Sequence, residues 1–211
     1  MKAVKNLIFD YGNVIFEIDF QKTQAAFAAL GISHVDHFFA HKGHHPLFDQ
    51  FETGALSPAA FRAGIREAAR QEHLSDAQID AAWNSLLIGV SGNNHQVLLQ
   101  AKATYRTFLL SNNNAIHYQW IINYLQTHFG IADYSDYFEK AYFSHLMGLR
   151  KPHRAIFERV IAENQLDPTE TLFIDDSPQH IAGAQEAGLQ TLLMDVHPAQ
   201  LAELLHQQQL L

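Results

Sequence analysis

Asp10 closes the short apolar run Asn6-Leu7-Ile8-Phe9 and is followed by Tyr11-Gly12-Asn13-Val14. An acid there is a carboxylate presented at the C-terminal tip of a buried strand. Far downstream, Thr171-Leu172-Phe173-Ile174-Asp175-Asp176-Ser177 repeats the device with two acids. Three carboxylates on two apolar strands make poor core material and a good cation site. Drawn together without a cation, they raise one another's pKa values. Oxygen ligands and the absence of cysteine favour Mg²⁺ over Zn²⁺. Mg²⁺ fills the rest of its shell with water and substrate phosphate.

Phosphate also needs direct donors. Ser111 ends a second apolar run, just before Asn112-Asn113-Asn114 and a helical stretch. Its hydroxyl and the backbone N–H groups of Asn112 and Asn113 are placed to hold an anion near a helix N-terminus. Lys151 lies in the turn Gly148-Leu149-Arg150-Lys151-Pro152 and can set a point charge on the phosphate. Aspartate, metal, hydroxyl and lysine together suit attack of a carboxylate on phosphorus. The product is an aspartyl-phosphate that water then hydrolyses.

These residues require a scaffold. Ala3 to Phe9, Thr107 to Leu110, Lys140 to Phe143, Thr171 to Ile174 and Thr191 to Met194 read as strands. Helical patterns at Asn94–Ala103, Ile116–Phe129, Pro152–Asn164, Pro178–Ala187 and Ala199–Gln208 separate or follow them. Alternation at this spacing predicts a parallel sheet covered on both faces, with ligands beyond the carboxyl ends of the strands. From about Phe20 to Gly89 the character changes. Ala is frequent, Ser57-Pro58 reads as an N-cap with proline at the first helical position, and Ser75-Asp76-Ala77-Gln78 matches a capping box. The expectation is therefore an α/β chain. A Rossmann-like core spans 1–15 and 91–211, and a small helical-bundle cap at 16–90 sits over the strand tips.

The bulk numbers narrow the field. The chain has 211 residues, 47% of them apolar, and a formal charge of −8. That balance argues against a nucleic-acid scaffold, which would carry a basic face. Without cysteine there is no thiol nucleophile, disulfide or thiolate zinc site. The N-terminal apolar stretch is broken by Asp10 and is too short for a signal peptide or a membrane span. A cytoplasmic protein with no membrane partner is the expectation.

The four stretches Phe9-Asp10-Tyr11-Gly12-Asn13-Val14, Leu110-Ser111-Asn112, Lys151-Pro152 and Asp175-Asp176 stand in order. The pattern resembles the haloacid dehalogenase superfamily, in its phosphatase branch with a helical cap inserted after the first strand. The likeness covers essentially the whole chain. The form of the first motif is most similar to a bacterial subgroup that includes phosphatases of glucose 1-phosphate. The resemblance implies that Asp10 is nucleophile and metal ligand, with the Gly12 carbonyl a second ligand. It also implies that Asp176 binds the metal directly with Asp175 in support, and that Ser111 and Lys151 hold the phosphate. The implied activity is Mg²⁺-dependent hydrolysis of a small phosphomonoester, with sugar phosphates among the candidates.

One position departs from that pattern. Most family phosphatases carry a second aspartate two residues after the nucleophile, which protonates the leaving oxygen and then activates water. Here the residue is Gly12. General acid–base help is worth about 10²–10⁴-fold, so slow turnover is expected, least severe for a leaving oxygen of low pKa. Two other functions compete: metal-free hydrolysis of a 2-haloacid by the same nucleophile, and phosphate binding without turnover. The Asp175-Asp176 pair argues against the first.

Several residues carry weaker signals. His41, His44 and His45 read as a polar loop of the cap. His180, four residues past Asp176, reads as a supporting group rather than a proton carrier. Phe38, Phe39, Phe48 and Phe51 are candidates for lining a substrate pocket or for helix-packing core, and their spacing favours core; Tyr11 reads as a residue that shapes the cleft.

Overall fold

The computed structural model describes residues 3–32 and 46–211. The histidine patch His41, His44 and His45 lies outside the described residues, as do Phe38 and Phe39. Five parallel strands form the sheet: β1 (Asn6–Phe9), β4 (Arg106–Ser111), β5 (Lys140–Phe143), β6 (Thr171–Asp175) and β7 (Gln190–Leu193). Their order is β5-β4-β1-β6-β7, and Phe9 aligns with Leu109 on one side and Ile174 on the other.

The central strand is buried on both faces, which explains its unbroken apolar run. Side chains alternate in direction along a strand. Leu7 and Phe9 therefore join one core layer and Ile8 the other. The first layer includes Val97, Leu98 and Ala101 of α5 (Asn94–Thr104), Ile121 and Leu125 of α6 (Ala115–Phe129), and Leu201 and Leu205 of α10 (Leu201–Gln207). The second takes Ile156, Phe157 and Val160 of α8 (Arg154–Asn164), and Ala184 of α9 (Pro178–Glu186). Full burial of Leu7, Ile8 and Phe9 contributes on the order of 2 kcal/mol each.

Between β1 and α5 the chain forms α1 (Phe20–Ala29), α2 (Pro46–Glu52), α3 (Pro58–Ala69) and α4 (Asp76–Asn84). Ser57 accepts from the Ala60 N–H with Pro58 next to it, and Ser75 with Gln78 closes a reciprocal capping box. These helices share a separate core in which Phe51 and Phe61 stack, ring centroids 4.1 Å apart. Phe48 and Phe51 belong to this core, and Phe48 also borders the cavity described below. One feature differs from the sequence reading. The helical stretch is entered and left through an antiparallel ribbon, β2 (Phe16–Ile18) against β3 (Leu87–Val90). The short turn α7 (Ser144–Met147) follows β5 directly. Among the described residues, no helix is long and apolar enough to cross a membrane.

Candidate active site

Asp10, Ser111 and Asp175 stand at the same edge of the sheet because β1, β4 and β6 are adjacent, parallel and in register. The Asp10 N–H donates to the Ile174 carbonyl at 2.9 Å, which extends the ladder one residue past β1. Asp10, Gly12, Ser111, Asn112, Asp176 and His180 all border one cavity of about 550 Å³. Its opposite wall comes from the inserted helices and the ribbon, including Ile18, Phe20, Phe48, Glu52 and Trp83.

Lys151 is the centre of the charge arrangement. It is fully buried, with Nζ 2.7 Å from Asp10 Oδ1 and 2.7 Å from Asp175 Oδ2. Asn112 positions it. The Asn112 side chain donates to the Lys151 carbonyl and accepts from the Lys151 N–H, both at 2.9 Å. That reciprocal pair spans 39 residues of sequence. Asn112 thus fixes the lysine through its side chain.

The three carboxyls are not equivalent. Burial pushes the Asp10 carboxyl up, Lys151 pulls it back, and Asp175 and Asp176 push it up again. Burial also raises Asp176, with Asp175 adding to the effect and a hydrogen bond from Asn13 opposing it. Asp175 goes the other way. Burial opposes its ionisation, but Lys151 and His180 prevail and hold it at about 2. The expectation that all three acids raise one another therefore fails at Asp175. Its Oδ1 also accepts from the Ser177 N–H at 2.8 Å.

His180 Nδ1 lies 2.9 Å from Asp175 Oδ1. Burial, with Lys151 nearby, lowers its pKa, so the neutral ring donates from Nδ1. Oxygens of Asp10 and Asp175 and a nitrogen of His180 fall within 4.8 Å of one another. That triangle is not a vacant metal site, because the Lys151 ammonium already bridges its two carboxylates. Gly12 and Asp176 border the same cavity as Asp10. There the donors are oxygens, and both carboxyls carry raised pKa values that a cation would relieve.

The anion-holding backbone differs in one part from the sequence reading. The Asn113 N–H is taken by Ser144 Oγ at 2.9 Å, so it cannot serve a phosphate. Ser111 does not cap the following helix either. Asn114 does, accepting from the N–H groups of Ile116 and His117. Among the described residues, Ser111 Oγ makes just a long 3.4 Å contact with the Asn112 carbonyl, which leaves its hydroxyl able to serve a ligand. Tyr11 is buried and stacked on Phe16, in keeping with a shaping role.

Three residues here escaped the sequence reading. Asn13 has φ 53°, and its Oδ1 accepts from the Ile18 N–H while the side chain also reaches Asp176. Glu52 and Arg150 meet at the cavity wall. Glu52 left a readable signal, since an acid at the last position of a helix opposes the helix dipole.

The family model of haloacid dehalogenase-like hydrolases matches residues 4–188. The chain belongs to this family. It is 31% identical over 188 residues to a D-ribitol-5-phosphate phosphatase of Bacteroides thetaiotaomicron, covering 89% of this chain and 90% of that protein. A haloacid dehalogenase family enzyme of the same organism, solved with magnesium and inorganic phosphate, superposes with a TM-score of 0.80 at 38% identity, covering 90% of this chain and 94% of that one. A 2-haloacid dehalogenase of Pseudomonas syringae shares the fold, with a TM-score of 0.60 at 20% identity over 98% of this chain and 100% of that one. The hydrolase class and the phosphatase character of the relatives agree with the chemistry expected from the four motifs.

Proposed function

We propose that this hydrolase cleaves a small phosphomonoester, Mg²⁺-dependently, through an aspartyl-phosphate on Asp10. The observation that carries the reading is the buried Lys151 ammonium against Asp10 Oδ1. It fixes one oxygen of the carboxylate and leaves the other to attack phosphorus. Ser111 Oγ and Lys151 Nζ hold the phosphate oxygens, and Asn112 keeps Lys151 in place. Asp10, the Gly12 carbonyl and Asp176 hold the ion, which supplies charge neutralisation for phosphate and carboxylates alike. Asp175 works one step back, orienting Lys151 and His180. Residues 16–90 act as a cap over a core of 1–15 and 91–211. Sugar and polyol phosphates are the favoured substrate class, in line with the ribitol-phosphate relative.

Gly12 leaves the leaving group without the usual proton donor. Turnover is accordingly slow for alkyl esters and faster for aryl or anomeric ones, whose oxygens need a proton least. A panel of phosphomonoesters assayed with Mg²⁺, beside Asp10→Asn and a chelated control, tests the reading. Mg²⁺-dependent turnover that disappears in Asp10→Asn is expected. Turnover that survives chelation would remove the metal from the mechanism, halide release from a 2-haloacid without added metal would point to dehalogenase-type chemistry, and phosphate binding with no turnover of any ester points to a regulatory protein.

A further inference from the structure

Glu52 ends α2 and forms part of the cavity wall. The sheet side grips it twice. Ser144 Oγ donates to the Glu52 carbonyl at 2.6 Å, and Arg150 Nη2 lies 3.0 Å from Glu52 Oε2. Arg150 also pairs with Asp49 one turn earlier in α2. The Arg150–Glu52 contact is within ion-pair reach but is not aligned as a hydrogen bond. Among the described residues, Glu52 Oε2 is buried with no hydrogen-bond donor, and Arg150 Nε is buried with no acceptor.

Buried polar atoms are ordinarily satisfied, so an orphan acceptor beside an orphan donor needs a reason. The Glu52 side chain keeps 26% of its surface open, and Arg150 borders the same cavity. A hydroxyl group matches the pair, because it gives one hydrogen and accepts another. An ammonium group would answer the acceptor but add a second cation beside Arg150. A carboxylate would meet Arg150 but repel Glu52.

We propose that Glu52 and Arg150 select a hydroxyl group on the leaving alcohol and so set the substrate preference of the site. The proposal rests on the phosphatase reading above and names residues for its selectivity. Glu52 reaches the cavity from the inserted helices and Arg150 from the turn beside Lys151. A hydroxylated substrate therefore ties the two parts of the molecule together across the bound ester.

The test compares ribitol 5-phosphate with n-pentyl phosphate, esters of the same chain length that differ in hydroxyls. A site built to hydrogen-bond a hydroxyl strongly rejects the analogue that lacks it. The native protein is expected to prefer ribitol 5-phosphate by at least ~100-fold in kcat/KM. In Glu52→Ala the ratio should fall below about 10, mainly through KM. The isosteric Glu52→Gln, with its fold checked by circular dichroism, should lower the ratio in the same direction. Equal loss on both esters, with the ratio kept, would mean that Glu52 merely braces the seam, and would overturn the proposal. Equal rates on the two esters in the native protein would overturn it while leaving the phosphatase reading intact. Hydrolysis of neither ester, nor of phenyl phosphate, with Mg²⁺ present would overturn both.

Discussion

Gly12 occupies the position where a proton carrier is expected, and its surroundings show what a side chain there would meet. A Cβ built on Gly12 comes 2.9 Å from Ile18 Cδ1. That atom is the free end of a flexible chain, so the obstruction yields to a rotamer change. Gly12→Asp combined with Ile18→Val is therefore expected to fold and to raise kcat on alkyl phosphates by roughly 10–10²-fold. The aryl-to-alkyl rate ratio should narrow at the same time. Steady-state kinetics on phenyl and ethyl phosphate check this, and an unchanged ratio would show that proton supply does not limit the native protein. At this scale the sequence was legible for types and much less so for roles. Asp10, Ser111 and Lys151 stand where strand ends and a pre-helix turn suggested. The duty of Asn112 was invisible, because its partner lies 39 residues away. Asp175 could not be told from Asp176 without seeing which one faces the lysine.

The strands of the sheet were readable as elements because each is a short apolar run stopped by a polar residue, and the core leaves no other place for such runs. The ribbon β2–β3 was not readable. It is three residues against four, contains Glu17 and Gly89, and its pairing slips between Glu17 and Ile18. Helix α6 shows how one element couples the two parts. Asn114 caps it and also accepts from Trp83 Nε1 of α4 at 3.3 Å. One turn on, His117 stacks on Trp83, ring centroids 4.8 Å apart, with Nδ1 2.8 Å from Asn84 Oδ1. Burial holds the His117 pKa down at about 3. The unfolded chain takes up a proton near the ordinary histidine value and the folded one does not, so stability is full above that value and is lost as pH falls. Between pH 7 and pH 5 this one group should remove about 2 kcal/mol. Urea unfolding of the native protein and of His117→Phe at both pH values measures it. The variant should show the smaller pH dependence, and equal slopes would contradict the assignment.

For the molecule as a whole, the carboxylate cluster links cation binding to folding. Asp10 and Asp176 carry raised pKa values in one cavity, and the unfolded chain cannot bring them together. An ion bound by the folded state alone should raise stability by about 2.7 kcal/mol at a hundred times its dissociation constant. Thermal melts with increasing Mg²⁺ should show the rise, and a chelator should reverse it. Asp176→Asn should lose most of the response while remaining folded without the ion. A protein whose melting temperature ignores Mg²⁺ would be hard to reconcile with a cation on these two residues.

The paired strands at residues 16–18 and 87–90 mean that the polypeptide departs from the sheet and comes home at a single doorway. Hydrogen bonds from Asp19 to Leu86 and from Ser91 to Ile15 hold that doorway shut behind it. Whatever lies beyond it can be lengthened, shortened or exchanged over generations without redrawing the strand order that carries the reactive groups. Changes made within that insertion leave Asp10, Ser111, Lys151 and Asp176 on elements and turns that lie outside it.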